Sequence, residues 1–261
     1  MSDTQLDRRE MTLMQKLSIA EEADPPWSAL TATLTVLVLL ITLILVGPAL
    51  SSIVLGIDEN TVTPFVLMLG WTLGQAITIA FVLINRRSSQ DSWVALKLEK
   101  GNLPLPLVLM IGVATALGVD LVISLASGQF LPIPEIFGFQ TEGTAGILIA
   151  VLFVVLIQPI AESLVFQGVL LPKLRFIMGP WGGVVVTTVV FTLLHYAVFY
   201  ASYQPNYPES TLLWYGVAYP LLTGLIFSLM KVYTDSTRAV IIMRIGAGLI
   251  FVLTALALVS G

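Results

Sequence analysis

The sequence contains no cysteine and only one histidine, His195, among its 261 residues. The lack of cysteine excludes disulfide bonds, thiolate metal sites and a cysteine nucleophile. Charge is also scarce, because Asp, Glu, Lys and Arg make up only 11% of the chain, against about 25% in soluble domains. The formal net charge of −4 offers no basic surface for nucleic acid. These shortages argue against a soluble enzyme, a disulfide-stabilised domain and a nucleic-acid-binding protein.

Apolar residues are correspondingly abundant, at 57% of the chain with a mean hydropathy of +0.95. A helix needs roughly 20 apolar residues to cross a bilayer, and about seven stretches of this chain are long enough. They lie near 29–57, 63–85, 104–127, 144–171, 181–200, 212–230 and 239–260. We therefore predict an all-α polytopic transmembrane helix bundle. It would form one domain over 29–261, preceded by a polar cytoplasmic segment over 1–28.

The basic residues predict the orientation of this bundle. Eleven of the twelve Lys and Arg residues precede the first span or follow the second, fourth and sixth. The segments 58–62, 128–143 and 201–211 contain none. Because cytoplasmic loops carry an excess of Lys and Arg, we expect the N-terminus in the cytoplasm and the C-terminus outside.

The polar N-terminal segment contains a weakly amphipathic stretch. Met11, Met14 and Leu17 recur at helical spacing, with Lys16 nearby. This stretch either lies along the membrane surface as a helix or is a frayed polar tail.

Two ionisable residues stand isolated inside predicted spans. Glu162 occurs in PIAESLVFQG, and His195 follows 33 residues later in FTLLH. At about 1.5 Å per residue, Glu162 lies roughly 16 Å from Lys173 and His195 about 22 Å from Pro180, so the two side chains can meet. Intramembrane ionisable residues are costly and usually mark a site or a partner. Arg244 lies in the last span and either reaches this pair or snorkels to the cytoplasmic interface.

Other polar side chains extend the candidate site. Gln158 is four residues before Glu162, and Ser163 is four before Gln167. Residues four apart stack along one helix face, so we expect each pair to lie together. Asp120, near the outer end of the third span, either faces the outer interface or has a functional role.

Three segments of the chain resemble a known membrane family. They read PIAESLVFQGVLLPKL, FTLLHYAVF and LLTGLIFSLMKVYTDSTRAVIIMRIGAG. Together they look like the three-motif core of the CPBP family, which comprises CAAX prenyl endopeptidases and bacteriocin-processing, Abi-type membrane proteins. The match covers about residues 144–250. It implies a membrane endopeptidase in which a glutamate activates water, while histidines, with or without a metal, polarise the carbonyl and hold the oxyanion.

The chain matches the first family motif in part and the second in full. The first reads Glu-Glu-x-x-x-Arg in the family; here Glu162 matches the first glutamate, but Ser163 replaces the second and Gln167 replaces the arginine. The second reads Phe-x-x-x-His and is complete in Phe191 and His195.

The third motif, His-x-x-x-Asn or His-x-x-x-Asp in the family, is lost. Arg244 stands in place of the histidine and Gly248 in place of the Asn. Catalytic zinc normally takes three protein ligands, whereas the resemblance leaves Glu162 and His195, with Asp120 as a remote third. A guanidinium cannot bind a metal and repels cations. We therefore expect no metal and no cofactor, and zinc only if the protein is active.

These replacements suggest that an ion pair has taken over the site. We expect Arg244 to pair with Glu162, with His195 and Gln167 hydrogen-bonding around them, because an unpaired buried charge is strongly destabilising. A carboxylate held in this way is a poorer base. Glu162 and His195 then either form an inherited network that holds the helices together or retain residual hydrolysis.

The resemblance and its gaps lead to two expectations for function. The first is a non-catalytic accessory or scaffold subunit that binds other membrane proteins or a membrane complex, and lipids, but no nucleic acid. The alternative is an active intramembrane endopeptidase of the CAAX-processing type that uses Glu162 and His195. In both cases we expect a multi-pass integral membrane protein, in a bacterial cell membrane.

Overall fold

The computed structural model describes residues 11–19, 24–56, 63–87, 92–128, 143–202 and 209–260. Every regular element in these ranges is helical, which confirms the all-α prediction. A helix is the favoured form for such a chain because it satisfies every backbone polar group within one segment. The helices are α1 (Leu13–Ser18), α2 (Ala29–Leu55), α3 (Pro64–Arg87), α4 (Ser92–Ala95), α5 (Leu105–Ser127), α6 (143–178), α7 (180–201), α8 (Ser210–Thr234) and α9 (Thr237–Ser260).

Helices α6 and α7 form one helical run, Gly143–Ala201, that folds back on itself at Gly179. In a straight helix its 59 residues would measure about 88 Å, nearly three times the hydrocarbon core of a bilayer. Gly179 instead adopts φ 78° and ψ 173°, a conformation that is essentially restricted to glycine. The rings of Phe166 and Phe191 lie 4.9 Å apart across the resulting hairpin.

This reversal turns the six described apolar runs long enough to cross a membrane into seven spans, as the sequence predicts. The boundaries of the fourth span differ from the prediction, which ended it at residue 171. Lys173 and Arg175 lie on α6 rather than in a loop, because a one-residue reversal leaves no loop to hold them. The predicted outer segment 58–62 lies outside the described residues, as do most of 128–143 and 201–211.

The basic segments meet at one end of the bundle, here called the basic end. Lys97 forms an ion pair with Asp235, with 2.6 Å between Nζ and Oδ1. The backbone N–H of Thr237 donates to the carbonyl of Lys97, at 2.8 Å. The Ser236 hydroxyl donates to the carbonyl of Glu99, at 2.6 Å. The predicted clustering of these segments is therefore present, while the cytoplasmic location of this end stays a prediction from the positive-inside rule.

The N-terminal segment packs against the basic end. Leu17 on α1 is only 2% exposed and joins a cluster with Leu171, Val184 and Val232. The Trp27 indole N–H donates to the carbonyl of Val169 at 2.9 Å. Residues 13–18 therefore form a helix docked on the bundle rather than a frayed tail. Its predicted position along the membrane surface stays a prediction.

Within the described residues, four π-helical segments interrupt the long helices: Thr42–Val46, Leu152–Ile157, Ser163–Leu170 and Trp214–Ala218. Two of them flank the short α-helical segment Gln158–Glu162. Such π segments occur frequently at functional sites. In this chain they bracket the predicted glutamate from both sides.

Candidate functional site

Glu162 lies at the centre of a polar cluster built by three helices. Its Oε1 accepts a hydrogen bond of 2.8 Å from Nε2 of Gln158 and lies 3.3 Å from Nε2 of His195. Its Oε2 accepts a hydrogen bond from Nη1 of Arg244. The Glu162 side chain is only 2% exposed. The structure thus brings together four of the residues that the sequence selected.

The register of the helices explains this meeting. Glu162 lies 17 residues before Gly179 and His195 lies 16 residues after it, so the two face each other across the hairpin. A Cβ placed on Gly168 would lie 3.6 Å from Cγ2 of Thr237, so α9 begins beside Gly168. Measured from the level of Gly168 and Thr237 and away from the basic end, Arg244 lies about 10 Å along α9 and Glu162 lies about 9 Å along α6. The side chains therefore meet at the same depth.

His195 is oriented by the turn that precedes it. Its Nδ1 lies 3.0 Å from the carbonyl oxygen of Phe191. A carbonyl only accepts, so Nδ1 carries the proton of this hydrogen bond. The Phe191 ring lies 4.1 Å from the imidazole. The Phe-x-x-x-His spacing thus gives His195 both a hydrogen-bond acceptor and an apolar neighbour, and directs Nε2 towards Glu162.

Arg244 is held inside the bundle and does not snorkel. Its side chain is 6% exposed. The guanidinium carbon lies 4.8 Å from the ring centre of Phe191 and 4.3 Å from that of Phe227. Cation–π contacts of this kind and the carboxylate of Glu162 replace the water that a buried cation loses. The predicted ion pair is present, and the alternative of an interfacial Arg244 is wrong.

Ser163 and Gln167 do not join this cluster. Both are fully buried, and neither the Ser163 hydroxyl nor either polar atom of the Gln167 amide has a hydrogen-bond partner. The expected hydrogen bond from Gln167 to the ion pair is therefore wrong. Ser163 follows Glu162 by one residue, which turns its face of the helix by about 100°. Gln167 lies in the same π-helical segment as Ser163, and its side chain makes no hydrogen bond to the ion pair.

A cavity of about 160 Å³ adjoins the cluster. Gln158, Glu162, His195 and Arg244 all border it, and apolar side chains supply most of its remaining wall. The sequence interpretation missed four polar residues at its edge: Gln75, Tyr215, Tyr219 and Thr223. Gln75 gave a detectable signal, because it is an amide within the apolar stretch of the second span, as Gln158 is within the fourth.

The donor atoms present do not fit a zinc centre. Within the described ranges, His, Cys, Asp and Glu nowhere form a group of three that could hold a metal ion. Glu162 and His195 supply two donors, and the Arg244 guanidinium occupies one carboxylate oxygen. Asp120 is partly buried on α5 and does not border the cavity, so it does not supply the third ligand.

The position of the missing third-motif side chain is closed by helix packing. A Cβ on Gly248 would lie 2.6 Å from the carbonyl oxygen of Val154. Backbone atoms of α6 therefore occupy the space that an asparagine at position 248 would need. The close approach of α9 to α6 depends on glycine at this point, in keeping with the use of small residues between membrane helices.

Comparison with known proteins agrees with this arrangement. A family model described as type II CAAX prenyl endopeptidase Rce1-like matches residues 144–250. No curated protein and no solved structure gives a match. The matched segment contains the hairpin of α6 and α7, all of α8 and the part of α9 that carries Arg244. Residues 144–250 are therefore similar to the Rce1-like CAAX prenyl endopeptidases, and the chain is a multi-pass integral membrane protein.

Proposed function

We propose that this protein is a non-catalytic member of its family, which acts as an accessory or scaffold subunit for other membrane proteins. The ion pair between Arg244 and Glu162 is the observation that carries the proposal. A carboxylate whose two oxygens already accept hydrogen bonds, one of them from a cation, is a poorer base for activating water. Here Oε2 accepts from Arg244 and Oε1 accepts from Gln158.

The closed position at Gly248 supports the same conclusion. The family motif places a polar side chain there, and the carbonyl of Val154 excludes one in this chain. Neither Arg244 nor Gly248 supplies the side chain of the family's third motif, which favours a structural role for the site.

Helix α2 offers a surface through which a partner helix can bind. Its exposed large side chains recur three or four residues apart and so follow one face of the helix. They are Leu30, Leu34, Leu37, Ile41 and Leu45. An apolar stripe of this kind faces lipid in isolation and accepts an apolar transmembrane helix in a complex.

The active endopeptidase remains the second candidate, because one observation favours it. The cavity reaches both Glu162 and His195, and the His195 side chain is 21% exposed. A peptide bond entering the cavity would therefore meet the family's first glutamate and its complete second motif.

A cleavage assay with matched variants separates the two candidates. Purified wild type, Glu162→Gln and His195→Asn would be incubated in lipid nanodiscs with a set of prenylated and transmembrane peptides. We expect no cleavage by any of the three. Cleavage by wild type that disappears in both variants would overturn the non-catalytic proposal.

The scaffold role is tested with the same His195→Asn variant, which leaves the ion pair intact. Wild type and variant would be purified by affinity tag from their native membrane in mild detergent. We expect the same partner protein, in the same ratio, with both chains. A protein that is monomeric and free of partners in its native membrane would contradict the scaffold role.

A further inference from the structure

We infer that the cavity beside Glu162 is a binding site for a small neutral amphiphile, which enters from the end of the bundle opposite the basic end. This inference deepens the proposed function, since it assigns a ligand to a site that no longer cuts peptides. Its test measures access and occupancy rather than cleavage. A failure of one proposal therefore leaves the other standing.

The position of the lining residues gives the direction of entry. On α6, the residues that border the cavity lie at Glu162 and before it, towards the helix end that is remote from the basic end. On α9, they lie at Arg244 and beyond it, in the same direction. The lining residues nearest that end are Phe153, Phe199, Tyr215 and Phe251. Phe199 is two residues from the end of α7 at Ala201.

The side towards the basic end is closed by packed side chains. Arg244 lies between the rings of Phe191 and Phe227, and Phe191 in turn packs edge-on against Phe166. Nearer the basic end, Leu17 of α1 packs on the apolar cluster formed by α6, α7 and α8. By the positive-inside rule the side opposite the basic end is extracytoplasmic. A cytoplasmic protein tail is thus on the wrong side to reach Glu162.

The size and chemistry of the cavity define the ligand. A volume of about 160 Å³ resembles the roughly 150 Å³ of an engineered cavity that holds benzene. Arg244 and Glu162 neutralise each other, so an ionic headgroup would have no countercharge there. Gln75 has an unpartnered carbonyl oxygen, and Arg244 has unpartnered N–H groups at Nε and Nη2. A hydroxyl both donates and accepts, and therefore matches these two side chains.

The absence of cysteine makes the direction of entry directly measurable. Leu194 borders the cavity and is 5% exposed, whereas its neighbour Leu193 faces outwards and is 60% exposed. Single variants Leu194→Cys and Leu193→Cys would be expressed in intact cells, prepared in parallel as inside-out vesicles, and treated with a small, neutral, polar, membrane-impermeant thiosulfonate. Leu55→Cys and Lys100→Cys mark the end opposite the basic end and the basic end itself.

We expect the Leu194→Cys thiol to react from the same side of the membrane as Leu55→Cys. The Leu193→Cys thiol, at the same depth but in lipid, should stay unmodified. Reaction of Leu194→Cys only from the side of Lys100→Cys would overturn the inference. So would a Leu194→Cys thiol that reacts from neither side while Leu55→Cys reacts.

Competition tests the class of ligand in the same variant. The probes are 1-hexanol, hexanoate and hexylammonium, which share a chain length and differ in charge. At twice its dissociation constant, 1-hexanol should slow modification of Leu194→Cys about threefold, since occupancy reduces the free fraction by that factor. Leu55→Cys should react at an unchanged rate. Equal protection by hexanoate or hexylammonium, or none by 1-hexanol, would overturn the assignment of a neutral ligand.

Discussion

Arg244 and Glu162 form a buried ion pair that joins α9 to α6 in the middle of the bundle, and both side chains are less than one-tenth exposed. Each charge depends on the other, because both side chains are buried and a buried charge without its partner is strongly destabilising. In the CPBP family, which residues 144–250 resemble, a histidine occupies the position of Arg244. In this chain that position supplies the countercharge of Glu162.

Removal of the cation should therefore be costly. We expect Arg244→Met to lower the free energy of unfolding by about 3–5 kcal/mol, because it leaves the Glu162 carboxylate buried without a countercharge. Denaturant titration in mixed micelles measures the loss. The double variant Arg244→Met with Glu162→Leu should be more stable than the single variant. A double variant that is less stable than Arg244→Met would contradict an ion pair as the cause.

The exposed pair at the basic end provides the comparison for this measurement. Lys97 and Asp235 are 27% and 56% exposed. We expect Lys97→Met to cost only about 0–1 kcal/mol, since solvent screens an exposed pair. Equal losses at Lys97 and Arg244 would mean that burial does not determine the effect.

Gly248 should not tolerate even a methyl group. Gly248→Ala would bring Cβ to 2.6 Å from the carbonyl oxygen of Val154, and we expect a loss of about 1–3 kcal/mol from the forced separation of α9 and α6. Gly118→Ala is the matched control, because a Cβ there meets no atom within 4 Å. The control should be neutral or slightly stabilising. Equal midpoints for the two variants in thermal unfolding would contradict the close contact.

The reversal between α6 and α7 should require glycine. Gly179→Asn would force a side chain into φ 78° and ψ 173°, at a cost of about 1–3 kcal/mol. Gly56→Asn is the control, since Gly56 has φ 62° and ψ 32°, a left-handed conformation that asparagine adopts readily. Unfolding midpoints of both variants in micelles test this difference. A larger loss at Gly56 than at Gly179 would contradict it.

Docking of the N-terminal helix should depend on Leu17. We expect Leu17→Ala to destabilise by about 2–5 kcal/mol, as for other buried leucines. Limited proteolysis should then cut the N-terminal segment faster than in wild type. Met14→Ala, at a position 69% exposed on the same helix, should digest at the wild-type rate. Equal digestion of wild type and Leu17→Ala would show that α1 does not depend on this contact.

Local patterns in the sequence were enough to predict the membrane spans and the meeting of Glu162 with His195. Hydropathy predicted the membrane helices, and the distances of Glu162 and His195 from their turn predicted that the two would meet. Both depend on a constant rise per residue along straight helices. Gln167 escaped this reasoning, because a π-helical segment after Glu162 changes the direction of every later side chain on that turn.

The sequence alone thus determined a multi-pass helix bundle and a family core in which Glu162 and His195 survive while the third motif is lost. Only the tertiary structure decided that Arg244 turns inwards to Glu162, that α6 closes the space at Gly248, and that Leu17 packs on protein. These outcomes depend on which atoms of distant segments come within a few ångströms of one another. Burial and pairing at such contacts are set by the neighbouring helices, and no local pattern of residues encodes them.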